Sequence, residues 1–181
     1  MVANPDKDGE RESPAVGRRV LSSTRLAAVQ AIYQLDMTGE AAETVVAEFI
    51  RHRGGVGLDE DGEEIKTDKV LFAELVRGVA RAQDELDRML AGQLVADWPL
   101  ARIEKVMAAV LRAGAYELMH RPDVPARVVI NEYVDVAHAF LEGKEIGMVN
   151  GVLDRMARIL RAAEMGEVDG GKGKAGTEPA G

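Results

Sequence analysis

VVINEYVDVAHAFLEGKEIGMVNGVLD, residues 128–154, is the most informative part of this chain. It contains two amphipathic patterns joined by a short charged loop with two glycines. In each pattern the apolar residues recur at intervals of three and four, which places them on one face of a helix. Both predicted helices therefore need a partner against which to bury that face. The two sets are Ile130, Tyr133, Val134, Ala137 and Leu141, then Val149, Val152, Leu153, Met156 and Leu160.

Helical periodicity also dominates the rest of the chain. It predicts helices over residues 23–37, 41–53 and 67–90, with Ser22 or Ser23 capping the first and Thr67 capping the third, which is the longest. A further helix is the predicted centre of the core. Its apolar face carries Ile103, Val106, Met107, Val110, Leu111, Gly114 and Leu118. We therefore expect an all-α, single-domain bundle of about six or seven helices, with little or no sheet.

The two ends of the chain lack this periodicity. Residues 1–17 mix Pro, Gly, Ser and alternating charges, and residues 164–181 end in a Gly-rich stretch, so both are predicted to be disordered tails. Residues 18–163 remain as the predicted domain. With 181 residues, 46 % of them hydrophobic, the chain can fill one core.

Several classes of function find no support in the composition. The chain has no cysteine, its three histidines are scattered over separate elements, and no serine lies in a nucleophile-elbow pattern. No run of about eighteen apolar residues is present. We therefore expect a cytoplasmic protein without catalytic residues, metal site or cofactor, and without a membrane partner.

Gly114 and Gly151 lie inside helical patterns, where each glycine costs roughly 1 kcal/mol relative to alanine. A close helix crossing at each position is the expected compensation. Asn131 and Asn150 are also unfavourable inside helices, so their side chains are expected to form hydrogen bonds.

Three blocks in the same order identify a family. AAVQAIYQLD (residues 27–36), VLRAGAYELMHRPDVPARVVINE (residues 110–132) and the stretch quoted first together resemble the NusB family of transcription antitermination proteins, from about residue 18 to residue 160. The resemblance implies an all-helical, non-enzymatic factor. It would bind a boxA-like leader RNA together with NusE, a protein of the small ribosomal subunit, and help transcription elongation complexes on ribosomal RNA operons to resist termination.

The candidate RNA-binding residues are cations on an acidic protein of net charge −8. Arg18, Arg19 and Arg25 lie in a stretch without acids at the start of the first predicted helix. By themselves they favour a solvated helix start, whereas the resemblance favours RNA contact. It adds Lys144, in the loop of residues 142–147, and Arg127 is another candidate. Relatives often carry further arginines where this chain has residues 21–23.

The resemblance also implies partner contacts. Tyr33 matches a tyrosine on the surface that binds NusE, and Met107 occupies the position of a second contact, usually acidic, which predicts a more apolar interface here. The motif residues Asn131, Glu132, Asn150 and Gly151 are expected to be structural, with the polar side chains tying helix ends together.

Two other classes of function and the oligomeric state stay open. A scaffold that binds only proteins would fit the acidic composition. A detached NusB-like domain of a ribosomal RNA methyltransferase would be a fragment, because the chain lacks the cysteine nucleophile and the length for a cofactor-binding sheet. Relatives occur as monomers and dimers, so a homodimer is possible.

Overall fold

The computed structural model describes residues 14–52, 56–58, 63–94 and 99–166. In these ranges the chain forms seven α-helices, one 3-10 turn at Leu100–Arg102, and one small antiparallel hairpin of β1 (Val56–Leu58) and β2 (Glu64–Lys66). The all-α prediction of about six or seven helices is confirmed. The helices are α1 (Pro14–Thr38), α2 (Ala42–His52), α3 (Lys69–Ala91), α4 (Lys105–His120), α5 (Ala126–His138), α6 (Lys144–Leu160) and α7 (Ala162–Gly166).

Helix α4 is the centre of the core, as its apolar stripe predicts. It packs against α1, α3, α5 and α6. Its residues from Met107 to Leu118 are all buried, and the pair α5 and α6 closes one side of it. Because α4 is surrounded, polar side chains that it carries inward, such as Glu117, must find their partners on other helices.

The predicted start of the first helix is wrong. Helix α1 begins at Pro14, whose missing N–H costs nothing at the first helical position, so residues 14–17 belong to the helix and not to a tail. Ser23 is no cap: it lies inside the helix, is buried, and its hydroxyl has no hydrogen-bond partner among the described residues. The remaining N-terminal residues, 1–13, lie outside the described part.

Other boundaries differ from the prediction by smaller amounts. Asp68, not Thr67, caps α3, because its carboxylate accepts hydrogen bonds from the backbone of Val70 and Leu71. Helix α1 has 25 residues and is longer than α3 with 23. Gly39 follows α1 with φ of +71°, the left-handed conformation that glycine adopts readily. At the other end α7 extends to Gly166, so residues 164–166 are helical, and residues 167–181 lie outside the described part.

The two glycines predicted at close crossings behave differently. A Cβ on Gly114 would come within 2.9 Å of Leu153 and 3.3 Å of Tyr133, so α4 does meet α5 and α6 closely there. A Cβ on Gly151 would approach only the Arg155 guanidinium, at 3.4 Å. The close-crossing interpretation of Gly151 is therefore wrong.

Gly78 is a close contact that no sequence pattern indicated. A Cβ there would clash with the ring and the hydroxyl oxygen of Tyr116, which is buried against it. We expect Gly78→Ala to lower the free energy of unfolding by about 1–3 kcal/mol through overpacking. Gly151→Ala is its matched control, since it gains up to about 1 kcal/mol of helix propensity without a clash. Thermal unfolding of both variants measures the difference, and equal stabilities would contradict it.

Two further expectations can be compared with the described residues. Within these ranges, no group of three or more His, Asp or Glu side chains is placed to hold a metal ion. None of the helices there combines the length and the apolar character that spanning a membrane requires.

Candidate nucleic-acid interface

Helix α1 presents one continuous exposed face. Residues at intervals of three or four along it are exposed or half-buried, and we call this set the α1 face: Arg19, Ser22, Leu26, Gln30, Tyr33 and Met37. Arg18, also exposed, adjoins its N-terminal end. At a rise of 1.5 Å per residue the face is about 27 Å long. Its first end is cationic and its second end is apolar.

Arg25, predicted to contact RNA, is not on this face. It is only 3 % exposed, and its guanidinium donates to the Glu117 carboxylate at 2.5 and 3.0 Å. It also donates to Glu132 Oε2 at 3.0 Å, an oxygen that accepts a second hydrogen bond from the Ser22 hydroxyl at 2.8 Å. The interpretation of Arg25 as an RNA ligand is therefore corrected: it joins α1 to α4 and α5.

Arg25, Glu117, Glu132 and Tyr133 form one hydrogen-bonded cluster, in which opposite charges and hydrogen bonds compensate for burial. Burial alone would lower the pKa of the Arg25 guanidinium, but the hydrogen bond with Glu117 and the nearby carboxylates raise it above its usual value, so Arg25 stays charged. Burial, and then the charge of Glu117, raise the pKa of the Tyr133 phenol. Its hydroxyl therefore keeps its proton and donates to Glu117 at 3.0 Å. Removing either Arg25 or Glu117 would leave the charge of the other one buried without compensation.

The apolar end of the α1 face borders an open groove, which we call the α1–α4 groove. It lies between the C-terminal half of α1, the start of α4 and the end of α5. Tyr33 and Met37 are 38 % and 53 % exposed there, so two large side chains remain available to a partner. The groove is lined by Gln30, Tyr33, Met37, Glu104, Lys105, Val106 and Phe140.

Met107, predicted to contact a partner, does not line this groove. It is fully buried in the core, whereas Val106, one residue earlier, faces the groove. Successive residues of a helix point about 100° apart, so one step along the sequence separates the inner face from the outer. The partner-contact interpretation of Met107 is therefore wrong. Val106, predicted to face the core, lines the groove instead, together with Phe140, which the sequence did not single out. The charges at the groove are Glu104 and Lys105, whose ammonium donates to the Asp36 carbonyl at 3.0 Å.

The other cations predicted to bind RNA lie at two opposite ends of helices α1 and α5. Helices α1 and α5 run side by side in one direction, because Ser22 and Arg25 contact Glu132 while Tyr33 and Met37 share the groove with Phe140. Exposed Arg127, at the start of α5, therefore lies at the same end as Arg18 and Arg19. Exposed Lys144 follows Phe140 and lies at the groove end. The structure thus does not bring all the predicted RNA ligands together.

The polar motif residues have two kinds of surroundings: Glu132 contacts other helices, whereas Asn131 and Asn150 face outward. Glu132 is held by Ser22 and Arg25, as described above. Asn131 and Asn150 are exposed, and neither side chain forms a hydrogen bond with another described residue. The expectation that the two asparagines tie helix ends together is therefore not met. Gly151, beside Asn150, is half-buried.

Comparison with known proteins identifies close relatives by sequence. The model of the NusB family matches residues 22–158, a stretch that begins after Arg18 and Arg19. The transcription antitermination protein NusB of Rhodopseudomonas palustris (strain BisB5) is 47 % identical over 165 residues, which cover 91 % of this chain and 94 % of the relative. The protein of the same name from Bradyrhizobium sp. (strain BTAi1) is 51 % identical over 145 residues, 80 % and 85 % of the two chains.

Solved structures share the fold. NusB of T. maritima matches with a TM-score of 0.65 and 27 % identity, covering 80 % of this chain and 96 % of that one. A crystal structure of the antitermination factors NusB and NusE in complex with dsRNA contains a chain that matches with a TM-score of 0.60 and 22 % identity, covering 76 % and 96 %. At that identity the second match bears on the fold alone.

Proposed function

The chain belongs to the NusB family of transcription antitermination proteins, and from this premise we propose that it acts with NusE as a non-enzymatic, RNA-binding antitermination factor. Its RNA would be a boxA-like leader sequence, and its setting the transcription elongation complex on ribosomal RNA operons. The observation that carries the proposal is the α1 face, which has arginines at one end and an exposed apolar groove at the other. One helix can therefore hold RNA and a protein partner at the same time.

The net charge of this chain indicates how it and NusE would share the binding of RNA. RNA binding draws most of its affinity from contacts between cations and phosphates, and a chain of net charge −8 supplies few of them. Arg18, Arg19 and Arg127 form a small cationic end, which is weak alone. NusE, docked through Tyr33 and the α1–α4 groove, adds its own surface, so the joint site binds RNA more tightly than either protein. A solved structure with this fold contains NusB and NusE together with dsRNA.

Salt dependence tests the RNA part of the proposal. A leader RNA is titrated with this protein, with NusE and with both, at several salt concentrations. We expect at least tenfold tighter binding by the mixture. In Arg18→Ala/Arg19→Ala the slope of log K against log salt should fall by about 1.4, since each phosphate contact to a single strand contributes about 0.7.

The matched control is Arg81→Ala/Arg88→Ala, which removes two exposed arginines from α3. It lowers the net charge equally, so an equal change of slope would show that only total charge matters. Absence of RNA binding even with NusE would instead favour the scaffold that binds only proteins, the alternative supported by the acidic composition.

A further inference from the structure

Asn131 and Asn150 have no structural task in this fold, although both lie in the most distinctive part of the sequence. Their carboxamides are exposed on α5 and α6 and make no hydrogen bond within the described part of the chain. A helix interior disfavours asparagine. Two such residues, without compensation from the protein itself, are available to a ligand.

The two asparagines lie near the middle of neighbouring helices, on either side of one common level. Tyr133 of α5 and Leu153 of α6 both converge on the Gly114 position of α4, which fixes the register between α5 and α6. Asn131 is two residues before Tyr133 and Asn150 is three before Leu153. Because the two helices are antiparallel, these displacements add, and the asparagines are about 7–8 Å apart along the helix axes.

Both side chains are exposed, and each lies away from the helix face that contacts α1 or α3. At 100° per residue, Asn131 points away from α4 and away from Glu132, the residue that faces α1. Asn150 lies on the side of α6 opposite to Arg155, which is bound to the Gln93 carbonyl at the end of α3. Both asparagines therefore border the outer groove between α5 and α6, which we call the α5–α6 groove.

The surroundings of this groove suit a nucleic-acid strand. Arg127 and Lys144 begin the two antiparallel helices and so lie at opposite ends of it, about 20 Å apart, the span of about six stacked nucleotides. A Cβ at Gly147 would meet nothing within 4 Å, so the space beside α6 is open at this residue. Between the cations lie Asp135, and Asp154 paired with Arg158 at 2.8 Å. These acids repel phosphate at the middle, where the carboxamides are placed.

We propose that Asn131 and Asn150 determine specificity by hydrogen-bonding to base edges of a single-stranded RNA segment that lies along the α5–α6 groove between Arg127 and Lys144. A carboxamide both donates and accepts, which is the pattern needed to read a base edge. Unpaired bases of a single strand expose these edges. The inference rests on the proposed function and names the residues that would read the RNA sequence.

The test separates sequence reading from general affinity. The full chain with NusE selects from a pool of randomised 12-nucleotide RNAs, and affinities are then measured for the enriched RNA and for a scrambled RNA of the same composition. We expect Asn131→Ala/Asn150→Ala to reduce the preference for the enriched RNA by at least tenfold, with an unchanged salt slope. Alanine favours the helix at both positions, and thermal unfolding verifies the fold.

The matched control is Thr44→Ala, an exposed neutral side chain on α2, which should leave the preference intact. A double variant that keeps the preference would overturn the inference and leave the proposed function standing. Loss of NusE binding in the double variant would assign the groove to a protein and overturn it too. If the unaltered protein with NusE binds no RNA, the proposed function fails along with the inference.

Discussion

The substitution Arg25→Met is expected to lower the free energy of unfolding by about 3–5 kcal/mol. The change leaves the carboxylate of Glu117 in the core without its cation, and Glu117 is fully buried. Methionine has nearly the length of the arginine stem, so the loss reflects charge more than volume. Chemical denaturation of the variant measures it.

Two further variants show whether the loss comes from the unpaired charge of Glu117. Arg127→Met removes an exposed arginine and should change stability by no more than about 0.5 kcal/mol. Adding Glu117→Gln to Arg25→Met removes the unpaired charge and should recover part of the loss, because a buried charge without a partner costs more than a neutral polar group. A loss below about 1 kcal/mol for Arg25→Met would contradict the buried-pair account.

Tyr33→Ala is expected to weaken the complex with NusE by about 30-fold or more, with little change in stability. Tyrosine at the centre of an interface commonly contributes 2 kcal/mol or more, and each 1.4 kcal/mol is a tenfold change in affinity. Tyr33 is exposed beside Met37 and Phe140, so its ring gives a partner both apolar area and a hydroxyl. Calorimetric titration with NusE measures the change.

The control for Tyr33 is Ile159→Ala. Ile159 is a large apolar residue of α6 that is 60 % exposed, and it lies outside the α1–α4 groove. Its truncation should leave the affinity for NusE unchanged. If both variants bind NusE equally well, the groove is not the docking surface, even if the two proteins still associate.

Patterns in the sequence were sufficient where periodicity alone decides the structure. The apolar stripe of α4 and the paired patterns of α5 and α6 predicted the core and its centre. These patterns did not predict whether a residue at the edge of an apolar stripe lies on the buried or on the exposed face of its helix. Met107 and Val106 are both apolar and adjacent, and only the packing of α1 and α5 on α4 shows that the first is internal and the second borders the groove.

Long-range contacts explain why Arg25 was misinterpreted. Its partners lie 92 and 107 residues away in the sequence, and nothing near Arg25 distinguishes it from the exposed Arg18. The available signal was Glu117, the one acid in a core helix whose buried residues are mostly apolar, since a carboxylate buried there requires a cation. The contact of Gly78 with Tyr116 left no comparable sign, because it depends on how α3 and α4 cross.

Native mass spectrometry of the assembly tests whether this chain binds RNA jointly with NusE. We expect this chain, NusE and a single-stranded boxA-like RNA to form one complex with a copy of each. The complex should be lost with Tyr33→Ala/Met37→Ala and weakened with Arg18→Ala/Arg19→Ala. The contrary result is a chain that never acquires the mass of NusE, or an RNA that binds NusE equally well whether or not this chain is present.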